Sequence, residues 1–442
     1  MNPPAPTLIP VPLPLPMSDA TFALVLALLL LAPLAIAGVA LINTGLGRSR
    51  SAAQSLLGSV VIAAVTVIAF ALVGAALTGN IPGGLGNTGH TFHLAGKPWD
   101  WLGSGRFLLH DLATAAPPSQ LSLLFEFLAV TLAAIIPWGS GADRLRLPAG
   151  CAVAAIISAL VFPLFAHWVW AGGWLAQLGL NFQLGAGFLD PGGAATVHLL
   201  GGLCALAVVW IVGSRRGKFP KEGFSTAMPG HNAVYILFGC LLALTGWLAW
   251  NLAGAILWLH VPLATLVPTA LGTLLAASGA LLTTYTVTRI RFGKPDASLC
   301  ANGWLAGLVA SSACAALISP MQALLVGIVT GIATSLLVEL FELGVSIDDP
   351  SGAISVHAVG GMLGLLAVGI FSAQPGQLIA QLIGISTLLG LVLPGVYFLF
   401  LLLNRFIPFR VDADGERVGM DLHELGGGAY PEFVIHRDDS YR

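Results

Sequence analysis

Charge is what this sequence lacks. Of its 442 residues only 9% are Asp, Glu, Lys or Arg while 57% are apolar, and the mean hydropathy is +0.90. A soluble domain carries roughly 25% charged residues, so packing in water does not explain this composition. Cysteine is also sparse. All five (Cys151, Cys204, Cys240, Cys300 and Cys314) fall in or beside apolar runs, where a thiol behaves as a small hydrophobe, and no disulfide is expected. The formal charge of −2 points to neither nucleic acid nor an acidic partner. No G-x-x-x-x-G-K-[ST] stretch and no soluble catalytic domain is found, which excludes a primary pump and argues against an enzyme. The first eighteen residues contain no Lys or Arg, so they lack the basic region of a secretory signal.

What the sequence has in abundance is apolar runs of membrane-spanning length. A hydrocarbon core of ~30 Å needs about 20 residues of helix, and spanning backbone must be helical or closed into a barrel. The runs are continuous rather than alternating, which predicts an all-α polytopic membrane protein. Eleven helices are expected near residues 20–44, 55–79, 121–142, 148–172, 192–213, 231–257, 263–286, 299–318, 321–344, 353–373 and 378–404. Residues 1–19 read as an extracytoplasmic Pro-rich segment, 20–404 as the transmembrane domain and 405–442 as a cytoplasmic tail.

Lys and Arg accumulate in cytoplasmic connections. Here Arg48 and Arg50 follow span one, Arg144 and Arg146 span three, Arg215, Arg216, Lys218 and Lys221 span five, and Arg289, Arg291 and Lys294 span seven. Arg405, Arg410, Arg417, Arg437 and Arg442 follow span eleven. On the other side only segment 80–120 holds basic residues, Lys97 and Arg106. The N-terminus is therefore expected outside and the C-terminus inside. The connection after span nine carries Asp348 and Asp349 with no basic residue and departs from the rule.

One pattern occurs twice. Asp190-Pro191-Gly192-Gly193-Ala194-Ala195-Thr196-Val197-His198, followed by Gly201-Gly202, returns as Asp349-Pro350-Ser351-Gly352-Ala353-Ile354-Ser355-Val356-His357, followed by Gly360-Gly361. The copies open spans five and ten, five crossings apart, so they run in opposite directions: a 5+5 inverted repeat plus a final helix, with a site near the midplane. Asp at an N-cap and Pro at the first helical position would mark each helix start, which puts each His roughly 12 Å into its helix. Both imidazoles should then meet near the membrane centre. Ionisable groups there usually mark a substrate or proton path, although interhelical hydrogen bonding is the simpler alternative. No carboxylate or thiolate lies at ligand spacing beside either His, and no metal or other cofactor is expected. A facing neutral pair can share one proton and hold a small hydrogen-bonding solute, while desolvation opposes a bare cation. Ammonia fits, with carbon dioxide or water as less constrained alternatives.

At these residues the chain resembles the ammonium transporter/methylammonium permease/Rh family, from about residue 19 to 430. The resemblance is carried by Trp168-Val169-Trp170-Ala171-Gly172-Gly173-Trp174, the twin His motifs, Gly246-Trp247-Leu248-Ala249-Trp250-Asn251, Ile347-Asp348-Asp349-Pro350, Gly419-Met420-Asp421 and Ala429-Tyr430. It implies a homotrimer in the plasma membrane with one pore per subunit. It further implies that His198 and His357 are the pore and proton-relay pair, and that Asp190 and Trp170 recruit ammonium, the latter by a cation–π attraction of ~0.5–2 kcal/mol. Trp250 stands in the place of a family gating Phe, and Trp247 lines the same helix.

The departures concern the outer site. Ala129 replaces the family's other gating Phe, with Phe125 one turn earlier; Gly254 replaces a Ser that hydrogen-bonds the recruited ion. Glu126 could supply substitute attraction or simply be satisfied at a helix contact, and the stretch from Trp174 to Asp190 is longer than the family's. His90, His93 and His110 read as loop residues, His167 as packed, His260 as interfacial, and Trp168 and Trp174 as packing residues. The tail resembles one that binds PII signal proteins, but Leu425 and Gly427 replace the His and Glu of the family pattern. The leading expectation is ammonium/ammonia transport. The alternatives are an ammonium-sensing receptor without appreciable flux and an Rh-like channel for neutral NH3 or CO2.

Overall fold

The computed structural model describes residues 17–79, 91–105, 107–110, 112–222 and 225–430. Most of segment 1–19, His90, Arg106 and the last part of the tail, with Arg437 and Arg442, lie outside the described residues. Eleven helices among those residues are long and apolar enough to cross a membrane: Asp19–Leu46, Ser49–Thr78, Pro117–Ser140, Leu147–Trp170, Ala194–Val212, Ala233–Leu259, Leu263–Phe292, Ala297–Cys314, Pro320–Gly344, Ile354–Phe371 and Gln377–Phe406. They are numbered here as spans one to eleven.

Local chemistry sets several of their starts. Ser18, Asn232 and Asp296 accept from the backbone N–H three residues on, and Ser319 with Gln322 forms a reciprocal capping box. Small residues then let corresponding spans of the two halves approach. Span one meets span six where an added side-chain carbon on Gly246 would lie 2.0 Å from Ala35 N, and span five meets span ten. The second contact shows the inversion directly. A carbon added to Gly361 would lie 2.4 Å from Ala194 O, and one added to Gly202 would lie 2.6 Å from Ala358 N. Advancing along span five from 194 to 202 thus means retreating along span ten, so the two helices cross antiparallel.

One sequence expectation is corrected here. Asp190 and Asp349 do not occupy the usual N-cap position, and Pro191 and Pro350 are not first helical residues. The helices begin at Ala194 and Ile354, after Gly193 and Gly352 at φ +79 and +67. That left-handed conformation stops the helix from extending back to the proline, and glycine adopts it without a Cβ clash. Each His therefore sits in its helix's opening turn rather than 12 Å along it. Both turns are π-helical, Ala194–Leu199 and Ile354–Val359.

The connection between spans two and three is not a plain loop. It contains an antiparallel hairpin, β1 (Thr91–Leu94) and β2 (Lys97–Asp100), turning at Ala95-Gly96, both at positive φ. His93 is exposed on it. His167, buried near the end of span four, faces Thr78 O at 2.9 Å and Asp100 Oδ1 at 3.2 Å, which ties β2 to the helices. His260 ends span six in a left-handed cap and is exposed.

The candidate pore

Glu126 apart, the structure gathers the sequence-selected residues into two groups joined by one turn of span six. The first lies on the face where span one begins. Asp190, only 3% exposed, accepts through Oδ2 from Ala195 N (3.0 Å), Thr196 N (2.8 Å) and Thr196 Oγ1 (2.9 Å). It thus satisfies the amides of span five's first turn from four residues ahead, and its Oδ1 has no hydrogen-bond partner among the described residues. A cavity of about 60 Å³ lies beside it, walled by Trp170, Phe188, Pro191 and Trp258.

Indole N–H groups fix the backbone leading through this site. Trp170 Nε1 donates to Asp190 O and Trp250 Nε1 to Gly192 O, both at 2.8 Å. Gly192 N donates to Ser312 O at 2.8 Å. Such pairing is what permits irregular backbone inside a membrane protein. Phe125, fully buried, packs 4.4 Å centroid to centroid against Trp250 and edge-on to Trp170 at 5.4 Å. Ala129, one turn on, leaves the contact with Trp250 to Phe125. Glu126 is fully buried and is not among the residues walling the cavity beside Asp190.

The second group lies one turn further along span six. Trp247 donates to Ser312 Oγ at 2.9 Å and stacks on the His198 ring at 5.0 Å and 14°. His198 Nδ1 and His357 Nδ1 are 3.3 Å apart, with the rings 20° from parallel. Two nitrogens at that distance need one proton between them, so one imidazole donates and its partner accepts. Both rings are buried, and His198 Nε2 has no partner among the described residues. No cluster of three or more His, Cys, Asp or Glu side chains placed to hold a metal occurs among the described residues.

Gly254 acquires a physical reason. A side-chain carbon there would lie 2.2 Å from Pro191 O, so the carbonyl of the approach segment fills the space a serine would need. Sequence reasoning missed Trp258, which stacks on Trp170 at 5.2 Å and 4° and meets Phe125 edge-on at 5.7 Å. The signal was available, since 258 is eleven positions from 247, three helical turns along one face. It also missed Gln377 and Gln381, both fully buried on span eleven. Gln377 accepts from Ala186 N (3.0 Å) and donates to Gly187 O (2.8 Å); Gln381 does the same with Leu189 N (3.0 Å) and Leu189 O (2.8 Å). This ladder holds the long stretch that delivers Asp190.

At the opposite end, Arg215 forks onto Asp348 at 2.8 and 3.0 Å and reaches Asp143 at 3.2 Å. Arg144, fully buried, donates to Gly213 O and Asp348 O, both at 2.7 Å. Burial pushes Asp348 up, but hydrogen bonds from Arg215 and the charges of both arginines outweigh it and hold the carboxyl at about 2. Burial lowers Arg144 to about 10, which leaves it charged at neutral pH. The acidic connection that departed from the charge rule is thus matched by arginines from two neighbouring connections. The tail packs on this same face. Asp421 accepts from Ala53 N and Gln54 N at the start of span two, at 3.1 and 2.8 Å. Glu424 accepts from Leu147 N at the start of span four, at 3.1 Å.

The comparisons agree with this architecture. The family model described as "Ammonium Transporter Family" matches residues 21–430. The ammonium transporter Amt2 of Archaeoglobus fulgidus is 33% identical over 90% of this chain and 85% of its own length. Amt2 of Haloferax mediterranei is 29% identical over 90% and 87%. Among solved structures, a sensor Amt protein superposes with a TM-score of 0.81 at 27% identity, covering 91% of this chain and 97% of that one. Candida albicans Mep2, at a TM-score of 0.77 and 24% identity over 95% and 92%, shares the fold.

Proposed function

Since this chain belongs to the Ammonium Transporter Family, we propose that it carries ammonium across the membrane by stripping a proton at the mouth, passing ammonia along the His198–His357 pair and relaying the proton through the same imidazoles, so that one positive charge crosses with each ammonia. It is a multi-pass membrane protein. The face where span one begins is read as the outside, because the basic residues gather on the other face. In this reading the unpaired Oδ1 of Asp190 and the Trp170 ring draw the cation into the cavity, where a positive charge regains part of its lost hydration. Glu126 serves as a further acidic group near the mouth. Phe125 and Trp250 bar water and hydrated ions. Beyond them only a neutral solute is accepted cheaply, and the paired imidazoles give it a donor and an acceptor at once. Three copies with one pore each form the assembly, and a PII signal protein would dock on the tail.

The observation that carries this reading is the 3.3 Å contact between two buried histidines from antiparallel spans, aligned behind an aromatic barrier. Currents recorded after ammonium pulses on liposomes adsorbed to a supporting membrane test it. A saturable current that disappears in His198→Ala is expected. The tightly packed mouth and the likeness to a sensor Amt protein favour a second reading, a receptor. Ammonium binding with no current would establish that instead, and ammonia-driven pH change with no current would establish a neutral-gas channel.

A further inference from the structure

We infer that Trp258 is a movable outer gate that decides which cations pass from the cavity beside Asp190 to the Phe125–Trp250 barrier; the inference rests on the transport reading above. Four tryptophans stand between the mouth and the histidines, and three are tethered through their indole N–H: Trp170 to Asp190 O, Trp250 to Gly192 O and Trp247 to Ser312 Oγ. Trp258 Nε1 is buried and has no hydrogen-bond partner among the described residues. No hydrogen bond among the described residues therefore tethers this indole.

Its position makes that freedom matter. Trp258 walls the cavity beside Asp190, whereas Phe125 and Trp250 do not, and its ring stacks parallel on Trp170 while meeting Phe125 edge-on. A solute leaving the cavity inward must part the Trp170–Trp258 stack. Trp258 lies in the last turn of span six, next to the left-handed cap at His260, where backbone hydrogen bonding ends. The residue as a whole is half-buried. Swinging outward would release the unpaired N–H to water, so opening recovers a hydrogen bond that the closed position lacks. It would also uncover a face of Trp170 for the cation.

The family's usual hydroxyl contact is barred here, because Pro191 O occupies the space beside Gly254. Selection by size at a displaceable ring takes the place of selection by a directed hydrogen bond. A larger cation needs a wider opening of the stack, so discrimination against an added methyl group should depend on residue 258.

The test is the ratio of kcat/KM for ammonium over methylammonium, measured as initial currents with the full-length protein in liposomes. Trp258→Ala should lower that ratio about 10-fold, within the range one methyl group can be discriminated. Trp258→Phe, which keeps an aromatic stack, should restore most of it. Should the alanine variant not fold, Trp258→Leu keeps apolar contact with Phe125 and should show the same loss. An unchanged ratio, or an equal fall for both cations as expected of Trp170→Ala, would overturn the gate. Absence of current in the wild-type protein would instead bring down the transport reading.

Discussion

At Asp190, capping and charge are two roles in one side chain, and they can be separated. Asn in its place keeps an acceptor for Ala195 N and Thr196 N but carries no charge. Asp190→Asn should therefore melt within a few degrees of the wild type in detergent while losing ammonium current; a large fall in melting temperature would mean that the group is chiefly structural. Gly254 gives the opposite test. Gly254→Ser supplies the family's missing hydroxyl, yet its Cβ must displace Pro191 O. It should cost about 1–3 kcal/mol of stability by overpacking and leave the apparent affinity for ammonium no better. The histidines were legible in sequence because they recur in a long, exactly spaced pattern. The reason for Gly254 was not, because the atom that excludes a side chain belongs to a residue 63 positions away (254 − 191) and to its backbone, which no side-chain pattern records.

Among elements, long apolar runs announced all eleven spans, since hydrocarbon thickness leaves little choice of length. The starts of spans five and ten were misread because Asp-Pro is an ordinary opening for a helix. The glycine three residues after each Asp decides the matter through conformation, at φ +79 and +67. Span eleven holds a less visible device. Gln377 and Gln381, one turn apart, use carboxamides as a strand would use its backbone, pairing with residues 186–189. Replacing Gln381 by Leu leaves Leu189 N and O without partners, at about 1–3 kcal/mol for an orphaned buried group. Because that stretch ends at Asp190, Gln381→Leu should raise KM for ammonium several-fold and change kcat little. An unchanged KM would show that the ladder supports only the fold.

For the molecule as a whole, the charge pattern separated two faces, but it could not reveal that the connections of one face interlock. Asp348 lies between Arg215 and Arg144, contributed by different connections, and one partner removed leaves buried charge uncompensated. Asp348→Ala should lower stability by about 3–5 kcal/mol, read as a fall in melting temperature; a change within error would mean that Asp143 alone suffices for Arg215.

This clasp also orders the protein's manufacture. The arginines are synthesised 133 and 204 residues before the aspartate that answers them, and Asp421 caps a helix start 367 residues upstream. A ribosome that has delivered the first nine spans has made a half-finished product in which Arg215 has Asp143 but not yet Asp348. Completion of the tenth span supplies the counter-charge in the same stroke that brings His357 to His198. The connection that clasps this face and the helix that carries the second histidine are thus delivered together.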